Sequence, residues 1–145
     1  MNNVIKPLFA DTLKTEEKSP LDILCEKNDL EIVVDVIDNM MGLYLHEKNP
    51  VTVARMDLWN DLAMDSDDID MILMELDLMF SWFSVVSQNR PKTVQDLVNV
   101  MYRIRQDLVC RLSGAEREKY IKAVQHRGLK NMATSVSAHA QQSQH

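Results

Sequence analysis

The sequence contains few of the residues that build tight turns and covalent cross-links. Its 145 residues include only three glycines, four prolines and two cysteines. Three glycines leave no Gly-rich loop that could wrap nucleotide phosphates, and they exclude a collagen-like chain. Cys25 and Cys110 form no CxxC pair and have no histidine at metal-ligand spacing. We therefore expect reduced thiols, and neither a disulfide framework nor a zinc site.

The sequence also lacks long apolar runs and sustained alternation of apolar and polar residues. No apolar run approaches the roughly 20 residues that span a bilayer. The N-terminal residues lack the basic region, apolar stretch and small-residue cleavage site of an export signal. We therefore expect a cytoplasmic protein with no membrane insertion. Because strand-like alternation is missing while apolar residues recur at steps of three and four, the sequence predicts an all-α fold.

Helix-start patterns divide the chain into segments. Ser19, Asn28, Thr93 and Ser113 each supply a side-chain oxygen shortly before a carboxylate, which is typical of helix N-termini. The helix that follows Ser113 is expected to end near Gly128, and it is a candidate contact for a homo-oligomer. The predicted organisation is an N-terminal extension with a short helix (1–28), a helical domain (29–112), a C-terminal helix (113–132) and a disordered tail (133–145).

Charge is unevenly distributed along the chain. The sequence has 22 acidic and 16 basic residues, a net charge of −6 and a pI near 5.1. Residues 57–77 contain eight acidic residues and no basic one. An acidic surface repels polyanions, so no nucleic-acid partner is expected. The basic segment 103–130 could bind an acidic partner, or pack on the acidic segment of its own or a second copy, and both alternatives stay open.

The sequence shows no catalytic or metal-binding constellation. It has no GxSxG or HExxH motif, and its four histidines lie far apart. An EF-hand loop counted from Asp65 would place Ile69 at a ligand position and Asp70 where glycine is needed. We therefore expect a protein that is not an enzyme and that holds no metal.

The segment that begins at Asp65 is predicted to form a helix with two apolar stripes. The core-facing stripe contains Ile69, Leu73, Leu76, Phe80 and Phe83. The second contains Met71, Met74, Leu78 and Trp82, of which Met71 and Met74 are expected to be at least partly exposed. The preceding residues 51–64 are predicted to be a connecting loop in which three side chains pack on the core: Leu58, Trp59 and Leu62.

A serine directly follows an aspartate at the start of this acidic helix, in the run LWNDLAMDSDDIDMILMELDLMF at residues 58–80. The residues that lead up to the helix include Leu58, Asp61, Leu62, Asp65 and Ser66. Those within it include Ile72, Leu73, Met74, Glu75, Leu76 and Phe80. The pattern resembles that of the acyl carrier protein family, which has Asp-Leu, two residues, Asp-Ser-Leu and a helix close to DxxELVMELEEEF. Residues 93–98 are similar to the start of that family's last helix, and the resemblance covers about residues 29–108.

The resemblance implies an acyl-carrier-protein-like helical bundle, with an extra N-terminal helix and a C-terminal helical extension. It implies that Ser66 carries 4′-phosphopantetheine, attached by a phosphopantetheinyl transferase. The arm would present acyl thioesters to acyl-processing enzymes of lipid metabolism that have basic docking patches. The residues expected to bind these partners are Asp65, Asp67, Asp68, Asp70, Met71, Met74, Glu75, Asp77 and Leu78.

The sequence departs from the family's pattern near the serine. Asp67 replaces the leucine that follows the modified residue, and Asp70 occupies a position that is usually apolar. The segment between Phe83 and Thr93 also shows no clear third helix. Two hypotheses therefore stay open. The first is a non-standard carrier modified on Ser66, and the second is an unmodified module with the carrier fold that docks on a partner through its acidic, Met-rich helix.

Overall fold

The computed structural model describes residues 19–80 and 90–143, with side chains up to residue 128. Within these ranges the regular structure is helical, which confirms the all-α prediction, and no strand is present apart from one isolated bridge between Asp57 and Thr93. A 3₁₀ turn covers Leu45–Glu47. The helices are α1 (Pro20–Glu26), α2 (Asp29–Met41), α3 (Pro50–Ala54), α4 (Ser66–Met79), α5 (Val94–Arg111) and α6 (Gly114–Ser143).

Side-chain caps fix the beginnings of α1, α2 and α5. Ser19 Oγ accepts a hydrogen bond from the backbone of Asp22, 3.2 Å away, and Pro20 occupies the first helical position of α1. Asn28 and Glu31 cap α2 reciprocally, each side chain accepting from the other residue's backbone. Thr93 does the same for α5 with Asp96. These caps confirm the three helix starts that the sequence predicts.

The connection between α2 and α4 contains a helix that was not predicted. Gly42 ends α2 with φ +65°, a left-handed conformation that glycine adopts without a Cβ clash. Asn49 then caps the short helix α3, which has Pro50 at its first position. Leu58 and Leu62 are buried as expected, but the prediction that Trp59 packs on the core is wrong, because its side chain is 44% exposed. Trp82 and Phe83 lie outside the described residues.

The hydrophobic core lies between α2, α4 and α5. Helix α2 contacts both α4 and α5 along its apolar face, which includes Ile32, Val33, Val36 and Ile37. Helix α4 contributes a stripe at steps of three and four. Leu73, predicted in this stripe, is only half-buried, and Ile72 takes its place because 3.6 residues per turn carry position 72 to the centre of the face. The buried residues of this stripe are Ile69, Ile72, Leu76 and Phe80.

A buried arginine joins the N- and C-terminal helices to the core. Arg105 of α5 is 7% exposed, and its guanidinium donates to Asp29 Oδ1 at 2.7 Å and to Tyr120 Oη of α6 at 3.1 Å. It also donates to two carbonyl oxygens at the end of α1, those of Leu24 and Lys27. Burial alone would lower the pKa of Arg105, but the hydrogen bonds to Asp29 and Tyr120 outweigh it and raise that pKa. The guanidinium thus forms an ion pair with the partly buried carboxylate of Asp29. It also donates hydrogen bonds to carbonyl groups that have no partner within the last turn of α1.

Helix α6 packs on α1 and is longer than the sequence predicts. Its Arg127 donates to the carbonyl oxygens of Leu24 and Cys25, and Lys119 Nζ lies 2.7 Å from Asp22 Oδ1. These two basic side chains of α6 therefore contact α1. The structure continues α6 through Gly128 to Ser143, into the range predicted to be disordered. One glycine in a helix interior costs only about 1 kcal/mol relative to alanine, so it does not have to end a helix. A contact between two copies through α6 stays a prediction.

A carboxylate organises the turn that follows α2. Asp38 accepts hydrogen bonds from the backbone N–H groups of Leu45 and His46 and lies 2.8 Å from His46 Nδ1. Partial burial alone would raise the pKa of Asp38, but these hydrogen bonds outweigh it and lower that pKa. The same contact raises the pKa of His46. The structure thus pairs His46 with a side chain across a turn.

Replacing Arg105 should destabilise the fold strongly. R105A leaves the Asp29 carboxylate and the α1 carbonyls without this donor, and we expect the free energy of unfolding to fall by about 3 to 5 kcal/mol. As a matched control, R111A removes the exposed arginine that pairs with Asp107 on the same helix, and it should change that free energy by less than about 1 kcal/mol. Urea denaturation measures both. Equal effects would show that Arg105 does not hold the helices together.

The Asp38–His46 pair should give stability a pH window. A raised histidine pKa stabilises the fold fully below the ordinary value of 6.5, and this contribution is lost as pH rises through the folded-state pKa. A lowered aspartate pKa stabilises it fully above 3.8, and that contribution is lost as pH falls through the folded-state pKa. H46Q should therefore flatten the alkaline side of the curve of urea midpoint against pH. An unchanged alkaline side in H46Q would contradict the pairing.

Candidate functional site

Ser66 is the first residue of α4, and it is exposed. Asp65 caps the helix instead, because its Oδ1 accepts from the backbone of Asp68 at 2.9 Å. Asp68 Oδ2 in turn accepts from the backbone of Asp65 at 3.0 Å. This reciprocal capping box is formed by the two aspartates on either side of Ser66. Ser66 is therefore a surface residue next to a cap that other side chains form.

The chain that leads to Ser66 is held in place by backbone contacts. Leu58 donates to the carbonyl of Lys92 at 2.8 Å, and Met64 donates to the carbonyl of Leu58 at 2.9 Å. Ala63 takes a left-handed conformation with φ +54°, which is uncommon for a residue other than glycine. Leu58, Leu62 and Met64 are buried on either side of this turn. The core thus fixes the position from which α4 begins.

Helix α4 presents an apolar stripe on its outer face. Met71 is 53%, Met74 60% and Leu78 68% exposed. Their steps of three and four place them on one side of the helix, away from the buried stripe of Ile69, Ile72 and Leu76. The exposure expected for the two methionines is confirmed. Three large apolar side chains in a row on a surface helix are typical of a contact site for another molecule.

The carboxylates of α4 do not all face outward. Asp65, Asp67 and Glu75 are exposed, whereas Asp68, Asp70 and Asp77 are half-buried. Asp68 belongs to the capping box, and Asp70 pairs with Arg90. The predicted set of partner-binding residues therefore separates into outward-facing side chains and side chains that also serve the fold. Asp65 is exposed but also caps the helix. The outward-facing members are Asp67, Met71, Met74, Glu75 and Leu78.

Arg90 lies against the first turn of α4 and was not identified from the sequence. Its Nη2 donates to Asp70 Oδ1 at 2.8 Å and to the carbonyl oxygen of Ser66 at 3.2 Å. Residues 57–77 contain no basic side chain of their own, so this contact brings a positive charge into the acidic segment. The residues are 24 and 20 positions apart in the chain. A pairing at that separation depends on the tertiary fold, and no local pattern encodes it.

A cleft of about 660 Å³ lies at the opposite end of α4 from Ser66. Its walls come from α1, α2 and the end of α4, including Ile23, Asp35, Met40, Glu75 and Met79. The lining mixes apolar and acidic side chains with Lys27 and His46, and Ser66 is not part of it. The segment predicted to lack a third helix lies mostly outside the described residues.

Three further features bear on what this chain can bind. Across residues 19–80 and 90–128, whose side chains the structure describes, no group of three His, Cys, Asp or Glu side chains lies close enough together to hold a metal ion. In the same part of the chain, no helix combines the length and hydropathy needed to cross a membrane. Both cysteines are free thiols, and burial raises the pKa of Cys25.

Comparison with known proteins finds no relative. No family model matches the chain, and neither the curated proteins nor the solved structures contain a match. The residues of α4 and their surroundings are therefore the features that indicate a function.

Substitutions on the two faces of α4 should affect stability very differently. I72A removes a fully buried side chain from the core, and we expect the free energy of unfolding to fall by about 2 to 5 kcal/mol. M74S, two positions along on the exposed stripe, should change it by no more than about 0.5 kcal/mol. Urea denaturation of both variants tests the orientation of the helix. A large loss in M74S would mean that the methionine stripe is packed inside.

Proposed function

We propose that this chain is a non-standard acyl carrier protein in which Ser66 bears 4′-phosphopantetheine. The observation that carries the proposal is the exposed hydroxyl of Ser66 at the start of α4, beside a cap that Asp65 and Asp68 form without it. A carrier serine has to be accessible to a second protein, so its oxygen cannot be buried in the fold. The sequence pattern around Ser66 supports the same assignment. The chain itself performs no catalysis in this proposal.

The attachment chemistry requires a nucleophile and little else from the carrier. Ser66 Oγ would attack the phosphorus of coenzyme A that bears the pantetheine arm, within the active site of a separate transferase. A new O–P bond forms while the bond to the bridging diphosphate oxygen breaks, and adenosine 3′,5′-bisphosphate leaves with that oxygen. The hydroxyl proton passes to a base of the transferase. The backbone N–H groups of the first turn of α4 point toward this end of the helix and favour a negative group there.

The outer face of α4 supports transient binding to several enzymes. Met71 and Met74 are flexible and polarizable, so they can repack against different partner surfaces. Asp67 and Glu75 project from the same helix. Carboxylates around an apolar stripe would steer the carrier onto basic patches and make association fast and salt-sensitive. The two free thiols fit the reducing conditions of the cytoplasm, where we place the protein.

A second candidate function is favoured by Asp67. This exposed carboxylate follows Ser66 directly, and at about 4 Å a like charge opposes a phosphate by roughly 1 kcal/mol in water. The exposed stripe of Met71, Met74 and Leu78 needs no modification in order to bind a protein. The alternative is therefore an unmodified module that docks on a partner through the same helix.

Intact-mass measurement separates the two candidates. When the chain is co-expressed with a broad-specificity phosphopantetheinyl transferase, we expect the mass to increase by one phosphopantetheine group. S66A should abolish the increase because it removes the nucleophile. S113A is the matched control, because Ser113 is an exposed serine directly before α6, and it should retain the increase.

Two outcomes would overturn the carrier assignment. One is a wild-type chain that keeps its unmodified mass under conditions in which a standard carrier protein is fully converted. The other is a mass increase that persists in S66A. The first result would leave the docking module as the function of this surface, and the second would show that the arm is attached to a residue other than Ser66.

A further inference from the structure

Arg90 contacts the backbone of the residue that the proposed function assigns to modification. Its Nη2 lies 3.2 Å from the carbonyl oxygen of Ser66 and 2.8 Å from Asp70 Oδ1. Ser66 and Asp70 are one helical turn apart on α4, so the guanidinium lies along the first turn on the side of Ser66. Both side chains of the ion pair are partly exposed, Arg90 by 42% and Asp70 by 47%.

The first turn of α4 is otherwise strongly negative. Asp65, Asp67, Asp68 and Asp70 all lie within five residues of Ser66. A phosphate attached to Ser66 would bring further negative charge into this group, and like charges at such distances repel one another. Arg90 is a cation from a distant part of the sequence that the fold delivers to this turn.

We propose that Arg90 is a positioning residue for a phosphate group on Ser66, held ready by Asp70. The proposal rests on the proposed function and names the residue that makes modification tolerable where Asp67 and Asp70 replace apolar residues. A guanidinium carries five N–H donors in a planar fork that suits phosphate oxygens. Because Asp70 already orders the side chain next to Ser66, little additional conformational entropy is lost when the guanidinium turns to the phosphate.

The competing explanation is an ordinary surface ion pair that only ties residue 90 to α4. Such a pair contributes little to stability and has no reason to respond to a group on Ser66. A useful test therefore measures the phosphate itself. Its response to Arg90 separates electrostatic contact from a structural role.

The direct test is a phosphorus NMR titration of the full chain with phosphoserine genetically encoded at position 66. The second phosphate pKa of phosphoserine is about 6, and a nearby guanidinium lowers it by stabilising the dianion. We expect R90Q to raise that pKa by about half a unit relative to the Arg90 chain, and R90K to raise it less. The four aspartates around position 66 remain in every variant, so their effect cancels.

K92Q is the matched control for the titration. Lys92 is exposed and lies two residues from Arg90, and its backbone donates to Asp96 and accepts from Leu58. K92Q removes the same charge from the same segment and should shift the phosphate pKa much less than R90Q. The proposal would be overturned if the phosphate titration curves of R90Q and of the chain with Arg90 coincide. It would also be overturned if R90Q and K92Q shift the phosphate pKa equally.

Modification kinetics link the inference to the proposed function. With a phosphopantetheinyl transferase, we expect kcat/KM for R90Q to be roughly three- to tenfold below wild type, with K92Q near wild type. A wild-type chain that is never modified would overturn the carrier function, while the phosphorus titration would still decide the role of Arg90. If the wild-type chain is modified but the phosphate pKa is the same with and without Arg90, only the Arg90 proposal is overturned.

Discussion

The burial of one face of α4 is the constraint on which the rest of the site depends. Ile69, Ile72 and Leu76 have no exposed surface, and their insertion into the core fixes the rotation of the helix about its axis. Because an α-helix has 3.6 residues per turn, positions 71, 74 and 78 then have to face away from the core. The Asp65 cap fixes where the helix begins. Together these two constraints leave Ser66 on the surface at the beginning of the helix that carries the exposed methionine stripe.

The charged side chains divide into those that serve the fold and those that face outward. Arg105, Lys119 and Arg127 bind acidic groups or carbonyl oxygens around α1. Their contacts join the terminal helices to the core. Among the residues that the structure describes, Arg90 instead contacts the acidic segment, where its guanidinium donates to Asp70 and to the carbonyl oxygen of Ser66. The exposed carboxylates of Asp67 and Glu75 carry the negative charge that a basic partner would recognise.

Local sequence patterns predict the helix starts and the orientation of α4. They do not predict contacts between residues that are far apart in the chain. The caps at Ser19, Asn28 and Thr93 depend on residues three positions apart, so the sequence displays them directly. By contrast, Arg90 and Arg105 reach partners 20 or more positions away. The prediction that Trp59 is buried is wrong for a related reason. Its apolar character predicts burial, but the turn that Asp57 organises around it leaves the indole exposed.

The central claim is that the Ser66 hydroxyl is presented for covalent attachment of an acyl-carrying arm. The most direct measurement is peptide mass spectrometry of the protein isolated from its native cells, with fragmentation that locates modifications on the peptide containing residue 66. The account predicts a phosphopantetheine group on Ser66 in at least part of the population. A peptide that is unmodified in every preparation, or an arm located on another residue, would contradict it.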